Sequence, residues 1–228
     1  MIALAFALSA ESSEFVSLLA QRSRDDRGVI TGAVHGHSVR VFHTGVGQAA
    51  AQAVTADFLA RHAPALLISS GFTGALDDSL AVGDVLFAAN YSTRDLPASL
   101  AETVRQGTLA STAAMLDSPV ERTQLAARTG AIAVDMETEF IAAECHQRGV
   151  ALLSLRAISD TPSAPFPLPP AVLFNVARQQ TNYPGLLLHL ARHPGAIGRL
   201  ARFTGQVATA RRSLATALDR LLRALPHS

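Results

Sequence analysis

Tryptophan and lysine are absent from the sequence, and cysteine occurs once, at Cys145. A lone cysteine closes no internal disulfide, and no Cys/His spacing resembles a metal site, so a cytoplasmic setting without metal or organic cofactor is expected. No run approaches about 18 consecutive apolar residues, which excludes a membrane-spanning helix. The opening stretch MIALAFALSA is apolar and ends in small residues, but no basic residues precede it as in a secretory leader; it reads as a first strand. The net charge is only +1, which gives no reason to expect a nucleic-acid partner. Charged residues make up 16% and hydrophobic residues 49%, a balance that excludes global disorder. The 228 residues suit one domain spanning the whole chain, 1–228.

What is present is an alternation of short apolar runs with longer helical stretches, the pattern of α/β architecture. Strands are expected at Ile2–Leu8, Val29–Ala33, Val39–His43, in ALLISS, in VGDVLFAANY, at Ala131–Asp135 and at Val150–Ile158. Helices are expected at Ser12–Arg22, after the glycines of TGVGQAAAQAVTADFLARH, and at Met136–Arg148. From SDTPSAPFPLPP the chain loses regularity, because proline removes donors and blocks helix. Beyond it the sequence reads as helical to the end, interrupted at Pro184 and Pro194. No repeat or linker argues for a second domain.

Gly45, Gly47 and Ala50 in TGVGQAA have the spacing of a dinucleotide-binding turn. That motif also needs a carboxylate at the end of the next strand, about 20 residues on, to hold a ribose. Here the next strand ends in Ser69-Ser70-Gly71, without an acid. Two readings stay open, a tight turn for helix packing and a turn over an anion or ribosyl group. A second glycine-bearing segment, SSGFTGALDD, carries Phe72 and Gly74. Two such segments on neighbouring strands would surround one ligand crevice with backbone N–H groups.

Two apolar runs end in ionisable residues. GAIAVDMETEF delivers Asp135, Met136 and Glu137, and VALLSLRAISD delivers Arg156, Ser159 and Asp160. If the two strand ends are adjacent, one crevice holds two carboxylates and an arginine. That set suits cleavage of a bond whose transition state is a sugar cation, one carboxylate holding hydroxyls and the other donating a proton to the leaving group.

TGVGQAAA, SGFTGALDDSLAVGDVL, AIAVDMETEFIAAECHQRGV and RAISD together resemble the purine nucleoside phosphorylase and nucleosidase superfamily, which includes 5′-methylthioadenosine/S-adenosylhomocysteine nucleosidase. Within it, LDSPVERTQLAARTGAIAVDMET and the arginine-rich end look most like the hopanoid-biosynthesis-associated phosphorylases. The resemblance implies a single α/β domain, nucleoside phosphorylase-like, with a central mixed, partly barrel-like sheet flanked by helices. It also implies a small-molecule nucleoside as partner and a homo-oligomer, favouring a dimer. Glu137 would hold the ribose hydroxyls with Met136 against the sugar, and Gly45, Gly47, Phe72 and Gly74 would line the substrate. Asp160, assisted by Ser159, would protonate the purine. SAESSEF aligns so that Glu14 would orient attacking water, with Arg156 beside that water or a phosphate. An acid in place of an N-terminal phosphate-binding arginine inclines the reading to hydrolysis. The hopanoid-like features leave phosphate open as co-substrate.

The chain departs from the family's pattern at Phe72, where many nucleosidases have serine, and between Asn90 and Pro119, which is short for a base-binding region. These motivate the alternative of a non-catalytic nucleoside-binding or interaction protein. Each residue also has a plainer structural reading. Glu137 could complement a helix N-terminus, Asp160 could form an Asx-turn before Thr161-Pro162, and Glu14 could belong to a solvated helix face. Arg156 could be a structural ion-pair partner and Phe72 a packing residue. His35, His37 and His43 read as loop or strand residues. Residues 176–228 contain eight arginines and one acid, Asp219. There Leu186, Leu187, Leu190, Ile197, Leu200 and Phe203 could form an apolar stripe beside Arg192, Arg199 and Arg202, either for peripheral membrane contact or for packing on the sheet.

Overall fold

The computed structural model describes residues 1–116, 118–167, 192–193 and 195–226, with the backbone of 174–175 and 180–181. Strand β1 (Ile2–Phe6) lies inside a 10-stranded mixed sheet. Its parallel neighbours are β4 (His37–His43) and β5 (Leu66–Ala75). On one side β4 continues antiparallel to β3 (Ile30–Val34) and then β2 (Ala20–Arg24). On the other side β5 runs parallel to β10 (Leu152–Asp160), followed by antiparallel β6 (Val85–Ala88) and then β7 (Arg105–Gly107). The far end of β5 also pairs with β9 (Ala133–Asp135), which carries β8 (Leu109–Ser111). With three partners, β5 forks the sheet at the end where the site lies. A separate ribbon pairs β11 (Phe174–Asn175) with β12 (Gln180–Thr181).

Helices cover both faces, and the alternation of strand side chains decides which face each residue meets. Ile2, Leu4 and Phe6 share a buried cluster with α1 (Ser9–Ser17) and with Leu214, Leu218 and Leu221 of α5 (Gly195–Ala224). Ala3 and Ala5, one residue out of phase, pack with Phe58 of α2 (Gln48–Arg61) and Ile141 of α4 (Thr138–Gln147). Helix α3 (Pro119–Thr129) buries Leu125 in a cluster with Leu76 and Val134. Along β10 the same alternation sends Leu153 and Leu155 toward α5, and leaves Ser154 and Arg156 on the opposite side.

The helix expected to run from Ser12 to Arg22 stops at Ser17, and Ala20–Arg24 forms an edge strand. Leu19 is buried in the core, and the absence of a side chain at Gly32 lets it in. A Cβ there would lie 2.9 Å from the Leu19 Cβ and 3.0 Å from the Ala20 carbonyl oxygen. Helix α3 was not expected, although its signals are in the sequence. The Ser118 hydroxyl accepts from the Val120 N–H at 3.2 Å, Pro119 follows the cap, and Gly130 closes the helix at φ 68°.

Among the described residues the C-terminal region contains a 30-residue helix, α5, whose second half is buried on the sheet. At its start Arg199 and Arg202 are exposed, and Phe203 packs edge-on to Phe166 with ring centres 4.5 Å apart. Pro184, Leu186, Leu187, Leu190 and Pro194, and the Ile197 side chain, lie outside the described residues. Among the described residues no helix is long and apolar enough to cross a membrane.

Candidate active site

The carboxyl ends of β1, β4, β5, β9 and β10 deliver the ionisable residues. After β4 the chain turns through Gly45 and Gly47, with φ of 78° and 92°, a region that glycine enters without steric cost. The Gly45 N–H donates to the Ala7 carbonyl at 3.1 Å, fastening the turn to the end of β1. The Gly47 N–H donates to Glu137 Oε1 at 2.7 Å. Glu137 is buried at the start of α4, and Met136 beside it is half-buried. Burial foremost, and then the charge of Asp135, push the Glu137 carboxyl up to about 7. Its protonation therefore changes close to neutral pH.

The two acids flanking Met136 divide their work. The Asp135 carboxylate accepts from the Ser111 hydroxyl at 2.6 Å, from the Thr138 hydroxyl, and from the Thr138 N–H at 3.2 Å. It thus caps α4, and it also pairs with Arg156 at 3.2 Å. Arg156 Nη2 donates further to the hydroxyls of Ser69 and Thr138, both at 2.6 Å. Its guanidinium, 1% exposed, is held by three groups from three elements. Arg156 therefore is an ion-pair partner within the sheet, and its other terminal nitrogen, Nη1, approaches Gly71.

The carboxylate facing Nη1 is Glu11. It is buried at the start of α1, accepting from the Leu8 N–H at 2.9 Å and the Phe72 N–H at 3.0 Å. A Cβ on Gly71 would lie 2.6 Å from Arg156 Nη1 and 3.1 Å from Glu11 Oε1, so both groups crowd one point over that glycine. Desolvation raises the Glu11 carboxyl above its usual range, against the nearby Arg156 charge and its backbone donors. Glu14, the acid expected to serve here, does not join the cluster. Its side chain is 41% exposed and meets Arg211 of α5 at 3.5 Å. The helix turns Glu14 outward, while Glu11 lies where β5 presents a free N–H. Phe72 contributes that N–H, and its ring packs half-buried on the core.

Asp160 owes its position to an irregularity. The β5–β10 register pairs Arg156 with Gly71 and then shifts between Ile158 and Asp160, so that Asp160 faces Gly74. Such a bulge re-aims the side chains that follow it. The Ser159 hydroxyl donates to Asp160 Oδ1 at 2.8 Å, and Arg122 of α3 donates to Oδ2. Gly74 leaves room for this pair, since a Cβ would sit 3.0 Å from Oδ2. Glu11 and Arg122 were not singled out in the sequence, and Asp135 was noted at the end of its apolar run without a role. The only local signal for Arg122 is its place near the start of a capped helix. Among the described residues no cluster of His, Cys, Asp and Glu forms a metal site.

The phosphorylase superfamily model matches residues 5–102 and 89–191. A 5′-methylthioadenosine/S-adenosylhomocysteine nucleosidase of Staphylococcus aureus is 28% identical over 163 residues, covering 57% of this chain and 72% of that protein. Among solved structures, the nucleosidase of that name from S. pneumoniae, with a transition-state inhibitor, superposes with a TM-score of 0.71 at 19% identity, covering 99% of each chain. The futalosine hydrolase of Helicobacter pylori gives 0.71 at 16% identity, covering 98% of this chain and 97% of its own. The superpositions agree with a mixed sheet flanked by helices, and the family model, which spans more than half of the chain, shows that the chain belongs to the phosphorylase superfamily.

Proposed function

We propose that this protein cleaves the N-glycosidic bond of a purine-type nucleoside, with water as the nucleophile. The observation that carries the reading is a set of buried carboxylates at one end of the sheet: Glu11 and Glu137 lie in the field of Arg156, and Asp160 follows on the same strand, opposite Gly74. Glu137 accepts the ribose hydroxyls, and Met136 packs against the sugar. As the C1′–N9 bond breaks, its electron pair passes into the purine. Asp160, oriented by Ser159, transfers a proton to the ring nitrogen. The sugar cation is stabilised by the anionic site and captured by water held between Glu11 and Arg156, the water giving one proton to the Glu11 carboxylate as its oxygen bonds to C1′. Relatives bearing nucleosidase and hydrolase names support this chemistry. The buried Glu11 supports water over phosphate, because a phosphate dianion placed there would meet a carboxylate in a poorly solvated site. The hopanoid-associated branch and a homo-oligomer, favouring a dimer, belong to the same proposal, supported by the family resemblance, as does a cytoplasmic location, supported by the single cysteine.

Base release from adenosine, methylthioadenosine and inosine, with and without phosphate, tests it. Hydrolysis yields free ribose or its 5′-substituted form without phosphate. Glu11→Gln should then lower kcat by roughly 10²-fold or more, the scale of a lost general base. Glu14→Gln should change it by less than about 3-fold, since an exposed ion pair contributes at most about 1 kcal/mol. Strict phosphate dependence, with a ribose 1-phosphate product, would replace water by phosphate in the mechanism. Tight nucleoside binding without base release would instead make this a binding protein.

A further inference from the structure

Arg122 is 3% exposed, yet it lies on α3, the helix farthest in sequence logic from the strand motifs. Its guanidinium is fully engaged with the site's edge. Nη1 donates to the Ala75 carbonyl at 2.8 Å, and Nη2 donates to the Leu116 carbonyl at 3.3 Å and to Asp160 Oδ2. The two carbonyls fix the plane of the guanidinium, and the guanidinium fixes Asp160. With the Ser159 hydroxyl on Oδ1, both carboxylate oxygens are held by donors. A Cβ on Gly74 would come within 3.3 Å of Arg122 Nη1 as well as 3.0 Å of Asp160 Oδ2. A glycine therefore stands under the pair, where any side chain would press on both partners.

We propose that Arg122 is a positioning residue for the leaving-group acid, acting on the departing base only through Asp160. The inference rests on Asp160 being that acid, as in the proposed function. In the reaction the proton on Asp160 moves to the purine ring nitrogen while the C1′–N9 electron pair enters the ring. Asp160 is left as a carboxylate. Arg122 supplies the cation that the new carboxylate faces, already in place and tied to backbone carbonyls, so no reorganisation is needed when the charge appears. The proton that Asp160 carries into each turnover comes from water.

The test is a double-mutant cycle read on two kinds of leaving group. Arg122→Met keeps the length of the side chain and removes its charge and donors. It should lower kcat for purine ribosides by roughly 10²-fold, within the range for general acid catalysis, and lower kcat for 4-nitrophenyl riboside, whose leaving group needs no proton, by less than about 3-fold. Arg122→Lys should recover part of the loss. On an Asp160→Asn background, Arg122→Met should cost nothing further with either substrate, because a residue that acts through another has no effect once that partner is gone. Equal losses on both substrates, or additive losses in the double variant, would overturn the proposal, as would wild-type turnover of purine ribosides by Arg122→Met. If Arg122→Met does not fold, Arg122→Lys carries the same comparison. Absence of base release from every nucleoside by the unaltered protein would be a failure of the proposed function instead.

Discussion

At the scale of single residues, Glu137 has a measurable signature. A glutamate in an unfolded chain loses its proton near 4.5, whereas Glu137 holds it to about 7. The folded protein thus binds more protons than the unfolded chain within that window. Stability is greatest below it and falls as pH rises through it, by up to about 3 kcal/mol from this group. Glu137→Gln should flatten the dependence of Tm on pH between about 5 and 8. Some slope should persist from Glu11, which is also raised. The same variant should bind ribosides more weakly, because a neutral amide replaces the charged acceptor of two hydroxyls. In the unaltered protein KM for ribosides should fall as pH rises through about 7, as the carboxylate forms, and 2′-deoxyribosides should respond less. Thermal scans and kinetics across pH check both; a KM independent of pH would remove Glu137 from sugar binding.

At the scale of elements, the site depends on two neighbouring strands meeting in one register. Gly71 on β5 faces Arg156 on β10, and the missing side chain leaves the space that Arg156 Nη1 and the Glu11 carboxylate both border. Gly71→Ala would put a Cβ 2.6 Å from Nη1. Arginine ends usually yield easily, but this one is held by Ser69, Thr138 and Asp135. The variant should therefore lose about 1–3 kcal/mol of stability, as overpacked cores do, and lower kcat more than 10-fold. Denaturant titration and kinetics measure the two effects. Wild-type activity in Gly71→Ala would show that Arg156 has no part in holding the nucleophile.

For the whole molecule, α5 closes the face of the sheet opposite α2 and α4, away from the Arg156 network. Leu218 on it is fully buried in the same cluster as Leu4, Ile68 and Leu155. Leu218→Ala should cost about 2–5 kcal/mol while leaving KM unchanged, a split that calorimetry and kinetics can separate. Loss of affinity in a variant that is still folded would tie α5 to the site.

Sequence periodicity alone determined the alternating architecture, and it put Glu137 two residues past the end of one apolar run and Asp160 at the end of another, because the burial of each run follows from local pattern. The turn glycines were legible for the same reason, since Gly45 and Gly47 break one strand and open one helix within a few residues. Only the tertiary structure decided that Glu11 is buried against β5 while Glu14 faces Arg211. They lie three residues apart on a short helix, and the choice turns on the Phe72 N–H, 61 positions along the chain. It likewise decided that Asp135 anchors Arg156 while Glu137 meets the glycine turn, and that Arg122 reaches Asp160 across 38 positions. Periodicity reports which side of an element is buried. Which polar groups meet there depends on strand register and on the bulge before Asp160, and those are set by packing between segments distant in the chain.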